Sequence, residues 1–140
     1  MKTYIKIALG VVLFIAIASI GAGLYLFNLK PKDLSKAKPD FVISATDLQK
    51  AFEDSESAAT AKYVGKVIEV SGEISSIKSG ENNSLSISIK TGSEMSSVIC
   101  TFPSANKPVN LTAGTSVTVN GVCSGYLMDV LLNNCALAKK

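Results

Sequence analysis

The sequence contains no Arg, no His and no Trp, and all 14 of its basic residues are Lys. Without His there is no His-based catalytic triad or dyad and no imidazole ligand for a metal ion. Without Arg there is no guanidinium group that binds phosphate or carboxylate through two parallel hydrogen bonds. These absences exclude His-dependent enzymes and Arg-based phosphate sites.

The acidic and sulfur-containing side chains also lack a catalytic or metal-binding pattern. Glu53, Asp54 and Glu56 form an acidic run, which is typical of a solvated helix surface. The three Cys include no Cys-x-x-Cys pair, so neither a zinc site nor a thioredoxin-like redox motif is indicated. We therefore predict a protein that is not an enzyme and has no catalytic residues, no cofactor and no metal site.

The net charge of +3 is unevenly distributed along the chain. Six Lys against one Asp give residues 1–38 a charge of +5, whereas eight Lys against ten Asp or Glu give the remainder −2. A weakly acidic body lacks the basic surface that sequence-independent binding of nucleic acid requires. The charge distribution therefore argues against nucleic acid as a partner.

One long apolar segment lies near the amino terminus. Residues 7–29 are 23 residues without a charged side chain, which as a helix span about 35 Å, enough to cross a bilayer. We predict a short tail over residues 1–6, a single-pass transmembrane anchor over 7–29 and a semi-rigid, solvated linker over 30–43. The membrane is thus the first predicted partner.

A cleaved signal peptide is the alternative interpretation of this segment, because Ala16-Ile17-Ala18 resembles a cleavage site. Cleavage after Ala18 would leave an apolar tail that nothing covers, so an uncleaved anchor is favoured. Lys residues flank the apolar segment on both sides, so the charges do not predict on which side of the membrane the body lies. A six-residue tail is easily kept in the cytoplasm, so we expect the body on the non-cytoplasmic side.

The body begins with a helical pattern and continues with strands. Ser44 followed by Asp47 is typical of a helix N-cap, and Leu48, Phe52 and Tyr63 then recur at helical spacing. We predict a helix over residues 44–65, broken near Ser55, that packs on a sheet. Beyond it the hydrophobic period changes to two and predicts strands at about residues 66–77, 84–90, 96–102, 116–123 and 127–137.

Five strands, the first long and containing a central glycine, favour a small closed barrel over residues 66–137. The predicted class is mainly β: a five-stranded OB-fold barrel with one N-terminal helical segment, preceded by a transmembrane helix. The glycine, Gly72, is the expected position of a bulge or bend.

The body also resembles the tRNA-anti-like OB-fold family of bacteria over about residues 45–137. The resemblance rests on Ala51-Phe52-Glu53, Tyr63, Gly65-Lys66, Val70-Ser71-Gly72 and residues 98–102, 114–121 and 125–135. It implies an OB-fold and a protein that often carries an N-terminal membrane or export segment. Members are mostly uncharacterised, so the resemblance does not imply a particular activity.

In an OB-fold the usual ligand surface is the outer face of the second and third strands with the adjoining loops. Here the candidate ligand face is Ser86, Ser88, Lys90, Ile99, Thr101 and Tyr126. Only Tyr126 offers an aromatic platform for a nucleic-acid base, and we interpret it as a half-buried turn residue. We predict a membrane-anchored, non-enzymatic binding or adaptor module of unknown protein or small ligand. The alternative is a single-stranded nucleic-acid-binding OB-fold protein.

The cysteines provide a hypothesis about the compartment. The third and fifth strands of such a barrel are parallel neighbours, so Cys100 and Cys135 lie close enough to form a disulfide if the body is exported. Cys123 lies across a hairpin from Cys135, too far for a bridge. We therefore predict a disulfide between Cys100 and Cys135 and a free Cys123.

Overall fold

The computed structural model describes residues 1–29 and 32–139. The chain divides into two compact units, Met1–Lys30 and Pro31–Lys140. Lys30 and Pro31, where the predicted linker begins, lie outside the described residues.

The first unit contains one helix, α1, over Lys2–Phe27. Its 26 residues have a mean hydropathy of 2.5 in their most apolar window, and they are exposed along its whole length. A helix of this length spans about 39 Å, which is sufficient for a bilayer. A signal sequence has the same length and composition, so the helix is consistent with both interpretations of this segment.

The second unit is a closed five-stranded barrel to which two short helices and an additional strand are joined. The barrel strands are β2 (Val67–Ser79), β3 (Leu85–Lys90), β4 (Ser97–Phe102), β5 (Ser116–Leu127) and β6 (Asp129–Leu137). Their order around the ring is β2-β3-β4-β6-β5, and pairing of β5 with β2 closes it. Only β4 and β6 pair in parallel within the ring. The predicted fold class is confirmed, and the five predicted strands lie close to these positions.

The helical segment is divided in two, α2 (Ala45–Asp54) and α3 (Glu56–Tyr63), with the break at Ser55. Ser44 is the N-cap of α2, and its hydroxyl accepts the backbone N–H of Asp47 over 3.1 Å. The predicted face of Leu48, Phe52 and Tyr63 is buried. Helical structure ends before Gly65, whose φ of +81° favours glycine.

One strand was not predicted. β1, over Phe41–Ser44, pairs in parallel with residues 68–71 of β2. Its first three residues lie in the range predicted as linker, and Ser44 is the predicted start of the helical segment. The four residues of β1 are too few to show alternation in the sequence.

The linker prediction also fails at Leu34 and Ser35, which are only 2% and 6% exposed. The side chain of Asn120 donates a hydrogen bond of 2.9 Å to the carbonyl of Leu34, and Lys139 N–H donates one of 3.0 Å to that of Ser35. The backbone N–H of Ser35 donates a hydrogen bond to the Asp33 carboxylate. This hydrogen bond is the main cause that lowers the pKa of Asp33. This part of the chain therefore belongs to the barrel unit instead of extending through solvent.

The barrel is filled by the inward side chains of all five strands, because alternate residues of a strand point to opposite faces. Those with no exposed surface are Ile68, Val70, Ile74, Ile87, Ile89, Val98, Cys100, Phe102, Val119, Cys123, Val130, Leu132 and Cys135. Each large aliphatic side chain buried in this way stabilises the fold by about 1.5–3 kcal/mol relative to exposure.

Gly72 has a different structural role from the predicted bulge. A Cβ at this position would lie 2.4 Å from the Cγ2 of Ile89 and 3.3 Å from the Cβ of Ala45. Glycine is therefore required for close packing. The register shift in the β2–β3 pairing occurs between Ile74 and Ser76, so the bulge lies at Ser75.

Candidate ligand cleft on the barrel surface

The outer face of β3 and β4 is polar because the same alternation that buries one side exposes the other. Leu85, Ile87 and Ile89 point inward, and Ser86, Ser88 and Lys90 point outward. On β4 the partners of these outward residues are Thr101, Ile99 and Ser97. The predicted orientation of both strands is therefore confirmed by the burial pattern.

A cleft of about 630 Å³ opens at one end of this face. It lies where the bulged part of β2, the end of β3, the β3–β4 turn and the starts of β4 and β6 meet. We call it the serine cleft, after the six serines that line it: Ser75, Ser76, Ser88, Ser93, Ser96 and Ser97. Hydroxyl groups both donate and accept hydrogen bonds, so this surface suits a polar ligand.

Local hydrogen bonds shape the two walls of the serine cleft. At the β2 bulge, the Ser75 hydroxyl donates to the carbonyl of Ser88 over 3.1 Å. In the β3–β4 turn, the buried Thr91 hydroxyl donates to the carbonyl of Ser96 over 2.8 Å, and Gly92 has a φ of +83°. The turn is consequently folded back on itself, and the exposed Met95 lies at its outer edge.

The charged groups of the serine cleft are predominantly acidic. Lys90 forms an ion pair with Glu73, so its charge is already compensated. Asp129 accepts hydrogen bonds from Ser97, 2.7 Å from the backbone nitrogen and 3.1 Å from the hydroxyl oxygen. Glu94 is exposed in the turn. Among the described residues that line the cleft, a polyanion would therefore meet these two carboxylates and no cation other than the paired Lys90.

Aromatic rings are packed between the helices and the barrel. Tyr63 packs against Phe41 with ring centroids 5.1 Å apart, and Phe52 stacks on Tyr126 at 5.2 Å. Among the residues that the structure describes, the lining of the serine cleft includes no aromatic side chain. It therefore provides no ring on which a base would stack.

A family model describes almost the whole sequence. The tRNA_anti-like model matches residues 1–137. The chain belongs to the tRNA_anti-like family. Among curated proteins, none matches this member of the family in sequence.

Solved structures show the same barrel. One is the crystal structure of a "putative nucleic acid-binding lipoprotein" from Klebsiella pneumoniae subsp. pneumoniae, with a TM-score of 0.58 and 19% sequence identity. The similarity covers 70% of this tRNA_anti-like chain and 92% of the other. At this identity the similarity establishes the shared fold.

The residues of the predicted ligand face fall into three groups. Ser88 and Lys90 line the serine cleft. Ser86 and Thr101 face each other farther along the sheet, with their hydroxyl oxygens 3.4 Å apart, and Ile99 lies between them and the cleft on β4. Tyr126 is half-buried against Phe52 as interpreted from the sequence, but it lies within β5, paired with Val130, and not in a turn.

Several cleft residues were not identified from the sequence. Ser75 and Ser76 point to one side only because of the bulge, and Asp129 reaches the cleft because β6 begins beside β4. Residues 93–95 lay between the second and third predicted strands, and Ser96 was assigned to the start of the third strand. The available signal was the pair of serines, Ser93 and Ser96, beside strands with polar outer faces.

The three cysteines are free thiols, and all three are buried. The hydrogen bond with Cys135, together with burial, raises the pKa of the Cys100 thiol well above its ordinary value. Burial also raises the pKa of Cys123. Cys100 and Cys135 are therefore neighbours, as expected from the barrel, and their oxidation to a disulfide stays a prediction.

Proposed function

We propose that this protein is a membrane-anchored, non-enzymatic OB-fold binding or adaptor module that holds its ligand in the serine cleft. The observation that carries the proposal is the cleft itself, a cavity of about 630 Å³ with six serines on the barrel face used by OB-folds. Serine hydroxyls can rotate and can both donate and accept hydrogen bonds, so such a site suits a polar ligand.

The charges of the serine cleft favour a neutral or cationic ligand. Lys90 is paired with Glu73, whereas Glu94 and Asp129 add negative potential. A neutral ligand rich in hydroxyl or amide groups can form hydrogen bonds with the serine hydroxyls without being repelled by the carboxylates. We therefore propose a neutral ligand of this kind.

The anchor in this proposal is α1, with the body on the non-cytoplasmic side. A fully exposed apolar helix of 26 residues is best covered by lipid. The full-length chain should remain with membranes after a carbonate wash. Recovery of a soluble form that starts at Ser19 would show that the segment is a cleaved signal.

A single-stranded nucleic-acid-binding protein is the second candidate, favoured by the description of the Klebsiella structure. Fluorescence anisotropy with labelled DNA and RNA oligonucleotides, on the full chain in nanodiscs of zwitterionic lipid, separates the two candidates. We expect no binding below about 100 μM at low salt, because the described lining of the cleft offers no aromatic ring and no cation other than Lys90, which is paired with Glu73. Micromolar binding that weakens steeply with salt would establish the second candidate instead.

The native ligand is best sought by site-specific photo-crosslinking in intact membranes. A benzophenone side chain in place of Met95 lies at the edge of the serine cleft, and one in place of Val109 is equally exposed on another loop. We expect an adduct specific to position 95 that Ser88→Phe, which fills the cleft, eliminates. Identical adducts at both positions would contradict the assignment of the cleft.

A further inference from the structure

The turn between β5 and β6 exposes two large apolar side chains to solvent. Leu127 is 78% exposed and Met128 is 65% exposed. Together with Tyr126 and Glu56 they line a shallow hollow of about 480 Å³. We call Tyr126, Leu127 and Met128 the apolar tip. Contiguous exposed apolar groups of this kind mark interaction surfaces more often than isolated ones do.

The apolar tip is held in place by a buried side chain from α2. Gln49 is 2% exposed, and its Nε2 lies 3.0 Å from the carbonyl oxygen of Met128 and 3.4 Å from the hydroxyl oxygen of Tyr126. The ring of Tyr126 is stacked on Phe52. The tip is therefore fixed before any partner binds, which reduces the entropy lost on association.

Met128 also adopts a backbone conformation that does not suit its side chain. Its φ of +65° lies in the left-handed region, where a bulky residue is strained and Gly or Asn is preferred. Such strain persists where the surroundings enforce it, and it is concentrated at functional positions. An exposed methionine at this position thus weakens the turn without filling the core.

The surroundings of the apolar tip are acidic. Glu56 lines the hollow itself, and Glu53 accepts a hydrogen bond of 3.0 Å from the same Gln49 amide that holds Met128. Asp54 lies between them in the sequence. All three carboxylates are exposed, and none of them forms an ion pair within the described part of the chain.

We propose that the apolar tip is a docking site for a partner protein segment that places an aliphatic side chain beside Lys or Arg. The aliphatic group fits against Leu127 and Met128, and the cation faces Glu56. The acidic surroundings disfavour insertion of the tip into an anionic membrane surface, because both would carry negative charge. This site is separate from the serine cleft, so a ligand and a protein partner are bound by different surfaces.

The test is selection from a phage-displayed library of random 12-residue peptides on the full chain in nanodiscs of zwitterionic lipid. We expect enriched peptides that combine Lys or Arg with Leu, Ile or Val. Leu127→Ser should lower the affinity of the best synthetic peptide at least tenfold. Glu56→Gln should lower it about threefold at low salt, with less effect at high salt. Val109→Ser, at a residue that is also 78% exposed, should change it less than twofold.

Three results would overturn the proposal. The first is the absence of enriched peptides, or enrichment of the same peptides on the Leu127→Ser protein. The second is binding of the wild-type chain, but not of Leu127→Ser, to vesicles containing phosphatidylglycerol, which would make the tip a lipid-binding loop. The third is self-association that Leu127→Ser abolishes. None of these results bears on ligand binding in the serine cleft.

Discussion

Two hairpins of the barrel both contain residues with a left-handed backbone conformation, but the residues that adopt it differ. The turn between β2 and β3 uses Asn82 and Asn83 at φ values of 52° and 60°, and the turn between β5 and β6 uses Met128 at 65°. Asn tolerates this region because its short polar side chain hydrogen-bonds locally. A methionine has no such compensation.

The difference separates a turn that only reverses the chain from one that also presents a surface. Asn82 and Asn83 are exposed polar residues in the loop Gly80-Glu81-Asn82-Asn83, the composition expected of any hairpin loop. The β5–β6 turn instead exposes Leu127 and Met128 and is supported by the buried Gln49. A costly residue that contributes little to packing is best explained by binding.

The largest expected effects should be alike in the two hairpins, because both contribute to one core. Ile87 on β3 and Leu132 on β6 have no exposed surface. We expect Ile87→Ala and Leu132→Ala each to lower the free energy of unfolding by about 2–5 kcal/mol. Ser86→Ala, on the outer face of β3, should change it by less than about 0.5 kcal/mol. Urea denaturation measures all three, and equal effects of Ile87→Ala and Ser86→Ala would mean that the register of β3 is wrong.

Oxidation of Cys100 and Cys135 would join β4, which pairs with β3 of the first hairpin, to β6 of the second hairpin. Cys100 on β4 and Cys135 on β6 have neighbouring thiols, and a bridge closing about 35 residues stabilises a domain by about 2–4 kcal/mol. We expect an exported body to carry this disulfide. Thiol counting on denatured protein from alkylation-quenched cells should then find one reactive thiol, mapped to Cys123. Three thiols would indicate a reducing compartment.

The sequence predicted the elements whose burial follows a regular period. The alternation of apolar and polar residues over 85–90 was sufficient to predict β3, and the N-cap at Ser44 was sufficient to predict the start of α2. The sequence did not reveal β1, because its four residues are defined by parallel pairing with β2. Leu34 likewise is buried through contacts with residues distant in sequence, including Asn120. Long-range contacts of this kind leave no local periodicity.

The candidate site was predicted less completely than the fold. The alternation of residues along the strands placed Ser88 and Lys90 on the outer face. Alternation alone, however, extends the predicted site along β3 to Ser86 and along β4 to Thr101. The serine cleft is confined to one end because the bulge at Ser75 and the start of β6 at Asp129 meet there. The apolar tip was missed because exposure of Leu127 and Met128 depends on where the turn falls.

A smaller effect is expected from the residue that supports the second hairpin. Gln49→Ala removes the hydrogen bonds to Met128 and Tyr126 and should lower the free energy of unfolding by about 1–3 kcal/mol. It should also increase the mobility of residues 126–128, measured by backbone NMR order parameters. The turn at residues 80–83 is the internal control, since it makes no contact with Gln49 among the hydrogen bonds described. An unchanged order parameter at Met128 would show that the turn is rigid without α2.

The smallest expected effect has the opposite sign and distinguishes the two turns most directly. Met128→Gly removes a Cβ from a left-handed residue that is 65% exposed, so relief of strain outweighs the lost packing and the greater entropy of the unfolded chain. We expect stabilisation by about 0.5–1 kcal/mol, accompanied by at least a tenfold loss of affinity for the peptide selected on the apolar tip. Asn82→Gly and Asn83→Gly should change the free energy of unfolding by less than about 0.5 kcal/mol and leave peptide binding intact. A destabilised Met128→Gly protein would mean that the methionine serves packing. A stabilised protein that still binds the peptide would mean that the strained residue is not part of the docking site.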